Sequence, residues 1–180
     1  ATTVTQFVVA VTPSTRFRAL LEVFDDPGGF LVFLNSRASV DKLCADLAVG
    51  GFRCAALHGG LDQTVRTASL SAFRSGAIDV LLATDVLARG LDVECVRHVV
   101  SYDMPTSIEL HVHRVGRTGR IGHRGFATTF VAFPGALEDG HCLEDVSVLQ
   151  SLVGCMNAAG SHVPDWLRQL RPQSAGTGGS

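Results

Sequence analysis

Short apolar runs alternate along this chain with stretches in which apolar residues recur every three or four positions. The runs "FVVAV" (7–11), "FLVFL" (30–34), "CAAL" (54–57), "VLLA" (80–83), "HVVSY" (98–102) and "ATTFVAF" (127–133) read as strands. Several are apolar on both faces, as in a sheet covered on both sides. Between them, Phe17, Leu20, Leu21 and Phe24 fall at helix spacing after Pro13-Ser14. Val40, Leu43, Cys44, Leu47 and Ala48 do the same up to Gly50-Gly51, which end that helix. Val65, Ala68, Ser69, Ala72 and Phe73 form a further face, with Asp62 as the expected N-cap and Gly76 as the stop. Thr106 and Glu109 have capping-box spacing after Pro105, and Val146, Leu149, Val153 and Met156 predict a last helix. The alternation predicts β-α units, a mainly parallel sheet and right-handed crossovers. Residues 1–170 form one domain on this reading, and "RPQSAGTGGS" (171–180) reads as a flexible tail.

Composition sharpens this picture. The chain has 180 residues, 46% of them hydrophobic, enough for one domain with a core. Only 18% are charged, the opposite of a disordered chain. No apolar run reaches membrane length and no basic-then-apolar leader opens the sequence, so a soluble intracellular protein of cytoplasm or nucleus is expected. Net charge is −2, so any polyanion must be met by a local patch. The five cysteines (Cys44, Cys54, Cys95, Cys142, Cys155) form no CxxC pair and read as buried free thiols in a reducing compartment. The pairs His111/His113 and His141/Cys142 lack a four-ligand spacing, so no metal site is expected in this chain.

The candidate chemistry lies where strands end. In open α/β sheets, ligands meet the loops at the carboxyl ends of the strands. "NSR" (35–37), "HGG" (58–60), "TDVLARGLD" (84–92) and "DMPT" (103–106) all fall there. The most unusual stretch is "HRVGRTGRIGHRG" (113–125), with four arginines and four glycines. It has too few triplets and no proline for a collagen-like repeat. Gly116, Gly119 and Gly122 make a continuous solvated helix costly, at about 1 kcal/mol each relative to alanine. What remains is a helix ending near Gly116 and a turn that projects arginines, whose guanidinium forks suit phosphate oxygens. The chain holds no GxxxxGK[ST] loop, and Lys42, its one lysine, sits in a helical pattern. Any nucleotide these arginines meet would therefore be held by another domain.

These stretches carry a resemblance. "LVFLNSR" (31–37), "LHGGLDQTVRTASLSAFRSG" (57–76), "LLATDVLARGLDV" (81–93) and "HRVGRTGRIGHRG" resemble, in order and spacing, motif IV, the glycine and Gln-x-x-Arg region, motif V and motif VI of DEAD-box RNA helicases. "VPDWL" (163–167) resembles the end of the helicase core in the Vasa-like subgroup. The resemblance implies a RecA-like, three-layer α/β/α domain with a mainly parallel central sheet: the C-terminal half of a two-domain ATP-dependent RNA helicase. It implies that ATP with Mg2+ is held by an N-terminal RecA-like domain of the same protein. RNA is the implied partner, and the 180 residues alone are expected to be monomeric and inactive.

The resemblance also implies roles. Arg117 and Arg120 match the arginines that meet the γ-phosphate, with Arg120 the finger, and His113 matches the histidine linking to the partner domain. Arg89, Gly90 and Asp92 match the ATP side. Arg37, Gly59, Gly60, Gln63, Arg66, Thr84 and Asp85 fall on the RNA side. Each has a plainer alternative: Asp92 as a cap, Thr84 and Asp85 as strand terminators, Gln63 and Arg66 as an exposed helix turn, His58 as a satisfied turn histidine. Arg124 reads as solvated. Two positions depart from the family pattern, His111 where tyrosine is frequent and Leu61 where Met or Ser is usual. A non-enzymatic RecA-like module that binds RNA or scaffolds partners is the alternative function.

Overall fold

The computed structural model describes residues 4–24, 28–88, 93, 96–119, 122–133 and 142–170. Six strands form one sheet: β1 (Val4–Val11), β2 (Phe30–Phe33), β3 (Cys54–Leu57), β4 (Val80–Ala83), β5 (His98–Ser101) and β6 (Gly125–Ala132). Among the described residues, seven helices connect or follow them: α1 (Arg16–Val23), α2 (Arg37–Val49), α3 (Gln63–Arg74), α4 (Asp85–Ala88), α5 (Ile108–Val115), α6 (Val146–Ala158) and α7 (Asp165–Arg168). Strand order is β1-β6-β5-β2-β4-β3, and every pairing is parallel.

Both faces are covered, which is why β2 and β4 are buried at every position. On one face, Leu20 of α1 and Val40, Leu43 and Leu47 of α2 pack on Val11, Val32, Leu82, Val100 and Phe130. On the other, Leu70 of α3 packs on Leu31, Leu81 and Val99, while Leu149, Leu152 and Met156 of α6 pack near Val8 and Val131. The register puts Val99 beside Ala127 and Val8 beside Thr129, so α3 and α6 share a face. The result is the expected three-layer sandwich.

Local signals hold with shifts. Gly50 caps α2, with Gly51 after it at φ 85°; Gly76 follows α3 at φ 77°. Asp62 takes the N-cap position of α3 without a side-chain capping bond. The cap of α5 is Ser107, not Thr106: its hydroxyl accepts from the Leu110 N–H at 3.2 Å, and Glu109 stays exposed. Ser107 is the residue in extended backbone before the helix, so its side chain is the one that reaches the open amide. The cysteines also depart from expectation. Cys44, Cys54, Cys142 and Cys155 are free but only half-buried, and Cys95 lies outside the described residues. Cys44 and Cys54 bring their sulfurs to 3.7 Å; burial, with Cys54 beside it, pushes the Cys44 thiol up to about 12. Among the described residues no helix is long and apolar enough to cross a membrane.

The register also positions the site. Phe33 of β2 lies level with Ala83 of β4 and Ser101 of β5. Three adjacent strands therefore end together, and Asn35, Asp85 and Asp103 emerge close to one another.

Candidate functional site

Those three loops are tied by one side chain, Arg114 of α5. It is 1% exposed. Its Nε and Nη2 donate to the two carboxylate oxygens of Asp85 at 2.8 and 2.7 Å. Its Nη1 donates to the Asp103 carbonyl at 2.6 Å, and Nη2 also donates to Asn35 Oδ1 at 2.8 Å. The guanidinium stands 5.1 Å from the Phe33 ring centroid. A guanidinium stays charged when buried, so it needs this ring of acceptors. The network continues outward. Asp103 accepts from Arg16 Nη1 at 2.6 Å and from the Asn35 N–H at 2.9 Å, and Arg16 lies 3.9 Å over the Tyr102 ring. The loops after β2, β4 and β5 and helix α5 are thus one polar unit.

Arg114 was legible in sequence only as one of several arginines on a helix end. Its signal was its place: three residues after His111, on the face α5 buries. An arginine on a buried helix face requires a nearby carboxylate, and Asp85 supplies it. Both Asp85 oxygens are taken by this pairing, which makes Asp85 a strut between β4 and α5.

Beyond Arg114 the helix stops at Gly116. Val96 N–H donates to the Arg117 carbonyl at 3.1 Å, and the Thr118 hydroxyl donates to the Val96 carbonyl, so the turn is sewn to Val96, just before β5. Gly119 adopts φ 72° and Gly122 φ 86°, where side-chain-bearing residues are strained. A Cβ on Gly125 would run into the Thr118 hydroxyl and the Gly119 backbone. Arg117 is half-buried, while His113 and Arg124 are exposed. Arg89, Gly90, Asp92 and Arg120 lie outside the described residues.

A second group gathers after β3. His58 is 4% exposed; Gly59 and Gly60 are exposed. A Cβ on Gly59 would stand 2.9 Å from Arg37 Nη2, so Arg37, the first residue of α2, lies against this turn. Thr84 is buried and its N–H donates to the Leu57 carbonyl at 3.4 Å, which sets it beside the turn. Gln63 is exposed at the start of α3, its amide 3.4 Å from the Thr67 hydroxyl. Arg66 is half-buried, and its Nε has no hydrogen-bond partner. The structure brings Arg37, Gly59, Gly60 and Thr84 together at one end of the sheet, with Gln63 and Arg66 on the helix that follows the turn.

His111 lies one helical turn before Arg114. Its Nε2 donates to Gln6 Oε1 at 2.9 Å, and its buried Nδ1 has no partner. Burial, reinforced by the Arg114 charge, lowers its pKa to about 4. The unfolded chain would bind a proton near pH 6.5, above the folded value. The stability contributed by neutral His111 is therefore complete above pH 6.5 and lost progressively as pH falls toward 4, by up to about 3 kcal/mol. His111→Gln keeps a donor for Gln6 and removes the titration. Urea midpoints measured between pH 4 and 7 should vary less with pH in the variant; parallel curves would contradict the assignment.

Comparison with known proteins agrees with this geometry. The family described as "Helicase conserved C-terminal domain" matches residues 15–122. DEAD-box ATP-dependent RNA helicase 24 of Arabidopsis thaliana is 44% identical over 146 residues, covering 81% of this chain and 18% of that protein. The RNA helicase Prp28 from Chaetomium thermophilum, solved bound to ADP, superposes with a TM-score of 0.78 at 32% identity, over 94% of this chain and 40% of that one. The C-terminal domain of the DEAD-box protein Dbp5 gives a TM-score of 0.69 at 28% identity, covering 88% and 86%. The chain spans less than a fifth of the length of the curated relatives it matches. With its RecA-like parallel sheet, its strand-end loops bound to α5 and its motif order, the chain belongs to the helicase conserved C-terminal domain family, as the C-terminal RecA-like domain of a DEAD-box helicase.

Proposed function

We propose that this domain is the second half of an ATP-dependent RNA helicase that unwinds short RNA duplexes or remodels RNA–protein complexes. It grips the RNA backbone and supplies arginines to an ATP held by an N-terminal RecA-like domain. The observation that carries the reading is the Arg114 network. It makes the loops after β2, β4 and β5 one rigid piece with the helix that leads into the arginine-glycine turn. Contacts to RNA on one side and to a triphosphate on the other are then mechanically coupled.

On this reading Arg117 and Arg120 meet the γ-phosphate, with Arg120 the finger, and His113 contacts the partner domain. Arg89, Gly90 and Asp92 border the nucleotide. Arg37, Gly59, Gly60, Gln63, Arg66 and Thr84 hold RNA through phosphates and 2′-hydroxyls, so recognition is independent of base sequence. Asp85 is reassigned from an RNA contact to a strut, because its oxygens accept from Arg114 and a carboxylate would repel a phosphate. Magnesium belongs to the N-terminal domain. The carboxylates of the Arg114 network, Asp85 and Asp103, already accept two bonds each from protein donors and do not fit a metal.

The test is steady-state ATPase of the full-length protein with and without RNA, beside the purified 180 residues. RNA-stimulated turnover by the former and none by the latter is expected. Turnover by the 180 residues alone contradicts the two-domain reading. RNA binding with no ATPase in the full-length protein favours the non-enzymatic module, and equal stimulation by DNA removes the RNA assignment.

A further inference from the structure

The two bonds of the His58 side chain together assign its tautomer. Gly60 N–H can only donate, and it points at His58 Nδ1 at 3.1 Å, so Nδ1 carries no proton. The ring therefore bears its proton on Nε2 and donates it to Asp41 Oδ1 at 2.7 Å. Residues 58–61 close a turn, with the Leu61 N–H donating to the His58 carbonyl at 3.2 Å. Gly59 and Gly60 are its central residues. A Cβ on Gly60 would come within 3.2 Å of the imidazole, and one on Gly59 within 2.9 Å of the Arg37 guanidinium. Asp41 and Arg37 sit one turn apart on α2. One end of α2 thus holds the turn twice, by Asp41 through His58 and by Arg37 against Gly59.

We propose that His58 is a positioning residue for the RNA grip: its imidazole fixes the Gly59–Gly60 turn against α2 so that the turn and Arg37 meet an RNA phosphate as one preorganised unit. This rests on the RNA-side reading above. His58 itself is buried and does not touch RNA. Its contribution is the shape of the turn, and the bond that matters is the one to Gly60 N–H. Without it the two glycines gain conformational freedom, which RNA binding must then remove.

Two substitutions separate the two bonds. His58→Asn places Oδ1 where Nδ1 stood and keeps an acceptor for Gly60 N–H but cannot reach Asp41. His58→Gln reaches toward Asp41 and offers no acceptor at the δ position. RNA-stimulated ATPase of the full-length protein gives KM for RNA and kcat, and thermal melting monitors the fold. His58→Ala and His58→Gln should raise the RNA KM about three- to tenfold, the scale of one backbone hydrogen bond. The effect falls on KM, with kcat at saturating RNA within about twofold of the parent. His58→Asn should return the RNA KM close to the parent value whatever its melting temperature. An Asn variant as weak as Ala, or an unchanged KM in all three, overturns the proposal. Arg66→Ala is the reference. If it too leaves the RNA KM unchanged, the RNA-side reading fails. If it raises KM while His58→Ala does not, only the positioning role fails.

Discussion

Arg114→Met is expected to destabilise the domain by about 3–5 kcal/mol, because it leaves the Asp85 carboxylate, only 19% exposed, without its counter-charge. In a domain of this size each kcal/mol lowers the melting midpoint by about 2–4 °C, so a drop of roughly 6–20 °C should be seen in thermal melts. The cause is the stranded partner more than the lost bonds. Removing both charges together, in Arg114→Met with Asp85→Leu, should recover a large part of the loss, since a buried ion pair and a well-packed apolar pair are often similar in stability. Recovery will be incomplete: Asn35 Oδ1 and the Asp103 carbonyl lose their donor as well. A double-mutant cycle on urea midpoints measures the coupling directly. Additive effects would mean that the two side chains act separately. The repaired double variant also isolates function. It should fold yet lose RNA-stimulated ATPase, since the strand-end loops no longer move with α5.

How much of this was legible in sequence varies with burial. β3 and β4 were predicted at their observed limits, Cys54–Leu57 and Val80–Ala83, because short runs flanked by polar turns have sharp edges. β1 begins at Val4, three residues before the apolar run, since "VTQ" belongs to an edge strand that pairs with β6 over eight positions. Pairing, not hydrophobicity, sets that boundary. Gly116 as helix end and Gly119 as turn were readable because only backbone conformation was at stake. Arg114 was not, because sequence alone cannot distinguish its buried guanidinium from that of Arg117, which is only half-buried. The difference lies in which strand ends adjoin α5, a property of the strand order β5-β2-β4. The Asp85 pairing was hidden for the same reason: its partner is 29 residues away.

Arg120→Ala in the full-length protein should lower RNA-stimulated ATPase by about 10³- to 10⁵-fold, the range measured when an arginine finger is supplied or withheld. The size follows from where the charge develops. Phosphoryl transfer needs little covalent help, and most of its acceleration comes from cations placed against the transferring group. The sequence carries no GxxxxGK[ST] motif, so on the proposed function its arginines serve a nucleotide bound elsewhere and matter only when the two domains close. Binding of RNA in the presence of a non-hydrolysable ATP analogue should therefore weaken far less than turnover. Arg120→Lys should restore little, because an ammonium keeps the charge but loses the two-pronged fork. Arg117→Ala should also cost turnover, and the double variant should lose much less than the product of the two single effects, as groups acting on one phosphate form a unit. The fold should survive these changes, in contrast to Arg114: Arg117 is held at the turn by its own backbone carbonyl, which accepts from Val96 N–H whatever side chain it carries. Turnover retained in Arg120→Ala, with RNA binding intact, would remove the finger from this domain and leave the Arg114 network as a purely structural device.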